Sequence, residues 1–221
     1  MSVLKSAYVA AARKSMDMPF VASYFDRAAE SGSDFQRWVA SLTAIYQLDR
    51  MIRLDIPWWN VAATDEIEAF LKELPNARVF EYGSGASSAW LARRCGELIS
   101  VEHDEEWRSG LVDLLGDFPH CRIDYRPLDS EDGPTYTQAI AEAGGTFDMI
   151  VVDGRLRTDC LEAAISYLKP DGLILFDDSG RQRYRGAIEA SGLDETHHHG
   201  RSYCVPYPDH SSILRRPAAL N

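Results

Sequence analysis

Four acids in this chain stand at the ends of apolar runs. Glu81 follows Val79-Phe80, Glu102 follows Leu98-Ile-Ser-Val101, Asp153 follows Met149-Ile-Val-Val152, and Asp177 follows Leu173-Ile-Leu-Phe176. In an open parallel sheet, ligands bind beyond the carboxyl ends of the strands. The pattern therefore concentrates negative charge on a binding edge, where a structural protein would have little use for it. The first acid opens Glu81-Tyr82-Gly83-Ser84-Gly85, with Ser88 three residues on. Small residues in such a turn let a backbone approach a ligand, and the following helix would turn its N-terminus toward it. As a dinucleotide fingerprint the turn is incomplete, because Ser88 stands where G-x-G-x-x-G/A needs its third small residue. Glu81 would also repel a pyrophosphate. It suits a ligand with a cationic end, provided that its carboxylate faces a cavity beside Gly83 and Gly85. Glu102, 21 residues after Glu81, is spaced to accept hydrogen bonds from ribose hydroxyls.

The remaining sequence has to hold these ends side by side. Ser88 to Arg94 reads as a helix closed by Gly96. Asp104 reads as the cap of a helix over Glu105 to Leu115, with Trp107, Leu111, Leu114 and Leu115 facing inward. A short strand at 122–126 leads into Pro127-Leu-Asp129-Ser130, and a weak helix from Pro134 ends at Gly144-Gly145. Phe147 to Val152 has the unbroken β-branched character of a central strand buried on both faces. A helix at about 159–168 and a turn at Lys169-Pro-Asp-Gly172 precede the strand that ends in Asp177-Asp178. Tyr184 to Ala190 reads as a helix, Ser202 to Tyr207 and Ser211 to Arg215 as two closing strands, and His197-His-His199 as a solvated turn. Upstream, Thr64 reads as the cap of a helix with Ile67, Phe70, Leu71 and Leu74 on one stripe. The first 60 residues read as helical: Ser33 to Gln36 matches a capping box, and Phe35, Trp38, Val39, Leu42, Ile45 and Tyr46 keep helical spacing. Pro57 marks a boundary, followed by Trp58 and Trp59 as anchors between helices or as part of a substrate lid. The expected organisation is a helical extension over 1–60 (cap, lid or dimer contact) and an α/β ligand-binding domain over 61–221.

Composition limits the partners. Of 221 residues, 45% are hydrophobic and 26% charged, with a net charge of −11. That balance argues against nucleic acid and anionic membrane as partners, since both want a basic face. Cys95, Cys121, Cys160 and Cys204 are widely spaced, which fits reduced thiols in the cytoplasm better than disulfides or a zinc site. No apolar run approaches the ~20 residues of a membrane span.

Taken together, Glu81-Tyr-Gly-Ser-Gly85, Val101-Glu102 and the acids at 153 and 177 resemble the class I methyltransferases that use S-adenosylmethionine (SAM). The resemblance runs from about Thr64 to Arg216. It implies a Rossmann-like seven-stranded sheet, mostly parallel with an antiparallel last strand. It also implies SAM held by Glu81 to Gly85, Ser88, Glu102, His103, Asp153 and, beside the adenine, Asp129. Asp153 with Asp177-Asp178 is similar to the Mg²⁺ set of small-molecule O-methyltransferases, although the lysine base of that group has no counterpart. Arg155 and Arg157 stand in its loop and could bind an anionic substrate group. The implied reaction is methyl transfer to a small molecule, O-directed and Mg²⁺-assisted. Asp153, Asp177 and Arg155 are the catalytic candidates, and Arg181, Tyr184, Trp58 and Trp59 the substrate candidates. The same residues leave three other readings open: an NAD(P)-dependent oxidoreductase, an aminopropyltransferase-like enzyme, and a SAM-binding protein without catalysis.

Overall fold

The computed structural model describes residues 10, 14, 18–30, 34–128 and 135–218. Seven strands form one sheet: β1 (Arg78–Tyr82), β2 (Glu97–Glu102), β3 (Cys121–Tyr125), β4 (Phe147–Val152), β5 (Leu168–Asp177), β6 (Asp194–Ser202) and β7 (Val205–Arg215). Their spatial order is β3-β2-β1-β4-β5-β7-β6. The first five run parallel; β7 lies antiparallel between β5 and β6. The sequence direction reverses between β1 and β4, so the crevice opens beyond their ends, at the ends of Tyr82 and Val152.

Alternation along β1 explains the two core layers. Val79 faces Trp59, Ile67, Trp90 and Leu91, while Phe80 and Tyr82 face Tyr136, Ile140 and Phe147. The first layer is supplied by α4 (Val61–Glu73) and α5 (Ala86–Ala92), the second by α7 (Thr135–Ala143) and α8 (Arg157–Ile165). The other helices bounded by described residues are α1 (Pro19–Glu30), α2 (Asp34–Ser41), α3 (Leu48–Arg53), α6 (Glu105–Leu114) and α9 (Gln182–Ala190).

Several expectations are corrected. The cap of α4 is Asn60, whose Oδ1 accepts from Ala62 and Ala63 N–H; Thr64 lies inside the helix and donates to Asn60 O. Asp104 does cap α6, accepting from Trp107 N–H, but Trp107 and Leu114 are about two-fifths exposed and only Leu111 and Leu115 turn inward. The closing strands are β6 and β7, joined at Tyr203-Cys204, so the histidine run lies on an edge strand rather than a turn. Its alternating exposure, with no apolar residue inside, hid it. Lys169 to Gly172 belongs to β5. The periodic face expected through Tyr46 stops at Ser41, where turns begin and Tyr46 takes φ +58°. Ser33 and Asp129 lie outside the described residues.

Residues 34–60 pack on the other end of the chain. Trp38 Nε1 donates to Ser202 O, Cys204 N–H to Ser41 Oγ, and Tyr203 N–H to Trp59 O, all at 2.9–3.0 Å. Ala40, Ile45, Met51 and Ile56 form a buried cluster with Ala86, Tyr203 and Val205.

Candidate active site

The turns after β1 and β4 meet through two glycines. Gly83 has φ +93°, and a Cβ on it would lie 2.5 Å from Gly154 Cα. A Cβ on Gly154 would collide with the Tyr136 hydroxyl and stand 2.9 Å from Gly83 N. Glycine after each acid thus lets the two strand ends close on one crevice. The cavity above them is about 610 Å³, within the range of small-molecule sites.

Gly83, Ser84, Gly85, Glu102, His103 and Asp153 line this cavity, as do Asp104, Trp107 and Arg155. Glu102 pins the turn: Oε2 accepts from Ser84 N–H and Oγ–H at 3.1 Å, and Oε1 accepts from His103 and Asp104 N–H. Trp107 Nε1 donates to Ser84 O at 2.9 Å. Arg155 is exposed at the rim and donates to His103 Nε2 at 3.3 Å. Because a guanidinium only donates, that ring nitrogen is the unprotonated one. The neutral ring then carries its hydrogen on Nδ1, which is buried 2.6 Å from Glu102 Oε1 but lacks hydrogen-bond geometry.

Glu81, Tyr82 and Ser88 do not line the cavity. Glu81 is fully buried, and its carboxylate accepts from Ser87, Ser88 and Ser100 Oγ, each at 2.5 Å. The strand's alternation is the cause: Glu81 points to the same sheet face as Val79, under α5. Desolvation pushes its pKa up from 4.5 to about 7, against the three serine hydrogen bonds, and the charge of Asp153 adds to the rise. Glu81 therefore does not select a cationic ligand by direct contact, contrary to the expectation from the sequence. Its link to the cavity runs through Ser87, which is on the wall. Ser88 Oγ also accepts from Gly85 N–H, closing the first turn of α5. Tyr82 donates to Thr137 O inside the core.

A second cavity of about 230 Å³ adjoins the first and shares Trp58, Asp153 and Arg157 with it. Asp177, Asp178, Arg181, Tyr207 and Asp209 complete it. Trp59 is not a lid; it is fully buried against Trp90, and its Nε1 donates to Asp153 Oδ2 at 3.1 Å. Trp58 forms the wall and packs edge-on against Tyr46. Tyr184 faces away from this cavity, accepting from Arg183.

Asp153, Asp177 and Asp178 do not form an open set of metal ligands, because the Arg157 guanidinium lies among them. It donates to Asp153 Oδ1 at 2.8 Å and to the carbonyls of Asp153, Gly154 and Asp177, and stands 3.2 Å from Asp178 Oδ2. Asp178 also pairs with Arg181 at 2.6 Å, and Asp177 Oδ1 accepts from Ser211 Oγ. Among the described residues, no group of three His, Cys, Asp or Glu is arranged to hold a metal. Burial raises the pKa of both Asp153 and Asp177, and their mutual repulsion drives Asp177 further up.

A parallel sheet with a glycine turn after β1, an acid after β2 and an antiparallel β7 between β5 and β6 defines a Rossmann-like protein of the class I methyltransferase type. Residues 80–179 match the family model described as "Methyltransferase domain". The match covers less than half of the chain; with the fold, it supports a methyltransferase domain of the kind that uses SAM. The precorrin-6Y C5,15-methyltransferase of Geobacter metallireducens is similar in fold, with a TM-score of 0.52 and 14% identity over 69% of this chain and 88% of that one. So is an rRNA methylase of Streptococcus thermophilus, with a TM-score of 0.52 and 13% identity over 69% and 95%. A methyltransferase-like protein of Silicibacter pomeroyi has 23% identity and a TM-score of 0.47 over 69% and 87%. No curated protein matches this sequence. Among the described residues, no helix is long and apolar enough to cross a membrane.

Proposed function

We propose that this chain methylates a hydroxyl of a small molecule, with SAM in the larger cavity and the acceptor in the smaller one. The observation that carries the reading is Asp153, whose carboxylate stands on the wall common to both cavities. Trp59 and Arg157 each hold one of its oxygens, so its orientation is set before the acceptor arrives. SAM supplies the methyl group as a sulfonium electrophile. Asp153 would take the acceptor's hydroxyl proton while the methyl passes from sulfur to oxygen and S-adenosylhomocysteine leaves, and burial makes it a stronger base than an exposed aspartate. Glu102 and Trp107 suit the ribose and adenine, the first as acceptor for hydroxyls and the second as an apolar face. The Ser84 hydroxyl is the contact to Glu102 that a ribose hydroxyl would displace. The small acceptor cavity and the net charge of −11 favour a small molecule over nucleic acid. Mg²⁺ has no part in this proposal, since Arg157 takes the acids' free oxygens.

The test combines calorimetry with turnover. SAM and S-adenosylhomocysteine should bind, and a panel of phenols and alcohols should be methylated in preference to amines. Asp153→Asn should lower kcat/KM by about 10²- to 10⁴-fold, the usual range of a general base. Methylation of amines alone, or full activity of Asp153→Asn, would refute the proposal.

A further inference from the structure

We propose that His197, His199 and His210 form a proton-operated latch beneath the wall of the smaller cavity, closed while the rings share at most one charge and opened by further protonation. The three imidazoles lie on one face of the β6–β7 ribbon, His199 directly across from His210 and His197 two residues along. His197 Nε2 and His210 Nδ1 are hydrogen-bonded at 2.8 Å, and the His199 ring stacks on His210 at 4.1 Å with 6° between the planes. A bond between two ring nitrogens needs one hydrogen and one lone pair. The pair therefore keeps its contact with one positive charge, whereas a second would set two N–H groups face to face. A charge on His199 as well would lie against the face of a charged neighbour. Stacked parallel rings do not turn their lone pairs to a common point, so the cluster is built for protons rather than for a metal.

The surrounding charges do not relieve it. On β6, Glu195 Oε1 lies 3.6 Å from His197 Nδ1, but its two oxygens accept from Arg185 of α9 at 2.7 Å and one also from Ser212 Oγ. On β7, Asp209 Oδ1 accepts from the His210 backbone N–H. Asp178, in the loop after β5, is engaged by Arg157 and Arg181, and His198 pairs with Glu66 on the other face of the ribbon. Burial, with the charges of His210, Arg185 and His199, outweighs Glu195 and holds His197 below the ordinary imidazole range. The latch reaches the site through His210. Its ring fills the space that a Cβ on Gly180 would need, and its carbonyl accepts from Ser179 N–H at 3.2 Å. Asp178 and Arg181 on that loop, and Asp209 beside His210, line the smaller cavity, whereas the larger one is lined by residues up to Arg157. Lifting His210 off Gly180 loosens the first cavity and leaves the second intact.

The inference rests on the acceptor-site reading only for its meaning in turnover. Its test needs neither SAM nor an acceptor, so the two can fail separately. Backbone hydrogen exchange of the full chain is followed by mass spectrometry at pH 7.5 and 5.5, corrected for intrinsic rates. One proton excluded from the closed form and accepted at about 6.5 in the open form makes opening about tenfold more frequent at the lower pH. Peptides over 177–185 should lose protection by that factor, while those over 78–92 change by less than about twofold. His197→Gln combined with His199→Gln leaves His210 without a competing ring, and the loss over 177–185 should disappear. The C2–H signals of the native histidines give a readout that needs no variant: the three rings should titrate in separate steps, His197 below 6.5. Equal protection of 177–185 at both pH values, the same loss in the double variant, or three rings titrating independently near 6.5 would each overturn the latch.

Discussion

Replacing Glu81 by Gln isolates the free energy of burying a carboxyl under three serines. In the folded chain the group's pKa is raised from 4.5 to about 7. Below pH 4.5 both folded and unfolded chains hold the proton, and Glu81 carries no penalty. Between 4.5 and 7 the unfolded chain releases the proton while the folded chain keeps it, so stability falls as pH rises, levelling off above 7. Each pH unit in that window is worth about 1.36 kcal/mol, giving a total of about 3 kcal/mol. For a chain of this length the corresponding fall in Tm is about 6–12 °C. Glu81→Gln keeps the volume but turns an amide donor toward one serine, a pH-independent cost of about 1–3 kcal/mol. Between pH 5 and 8, followed by urea unfolding at pH 5, 6, 7 and 8, the stability of the native chain relative to the variant should therefore fall by about 2.5 kcal/mol, so that a native chain more stable at pH 5 becomes the less stable of the two at pH 8. Asp153 and Asp177, also raised, contribute slopes of the same sign to both proteins, which largely cancel in the comparison. A difference that stays constant across the range would refute the account of Glu81.

Further outcomes follow from the same geometry. Trp59→Phe removes the donor to Asp153 Oδ2 and keeps the ring. A hydrogen bond to a charged group is worth about 1.5–3 kcal/mol, so kcat/KM should fall about 10- to 100-fold while calorimetry finds S-adenosylhomocysteine affinity little changed. Gly154→Ala forces a methyl into the Tyr136 hydroxyl and the Gly83 backbone, and thermal melts should register a loss of at least about 1–3 kcal/mol. EDTA should leave turnover unchanged, since Arg157 already supplies the charge between the acids. Burial pushes the Cys95 thiol to about 12 and Cys121 to about 11, so a thiol-specific chromogen at pH 8 should react slowly with the native chain, Cys121 first, and fast in denaturant.

The sheet was legible in the sequence wherever a strand is buried on both faces. Val79-Phe80, Leu98 to Val101, Met149 to Val152 and Leu173 to Phe176 carry their own signal, and the acids that follow them mark one edge. Of the site, the turn Gly83-Ser84-Gly85 and the residues at or just past strand ends, Glu102, His103, Asp153 and Arg155, were legible as cavity lining; which distant side chains hold them was not. Trp59 reaches Asp153 across 94 residues, and Ser100 reaches Glu81 across 19; local pattern cannot show such pairings. The direction of Glu81 was recoverable in principle, because period-two alternation places it with Val79 beneath α5. Arg157 was visible as a loop arginine. Its role was not, because it depends on a turn through Leu156 that brings the guanidinium back over the end of β4.

The tie between residues 34–60 and the β6–β7 junction has a consequence for biogenesis. Chains emerge N-terminus first, so the Trp38 indole and the Ser41 hydroxyl wait for Ser202 and Cys204, 164 and 163 residues later, and the Trp59 carbonyl waits for Tyr203. The larger cavity is lined by residues up to Arg157, so its scaffold is complete in sequence early. The wall of the smaller cavity, which uses Val205, Tyr207 and Asp209, is finished last. A ribosome-stalled chain ending near residue 195 should hold the first scaffold yet lack that wall.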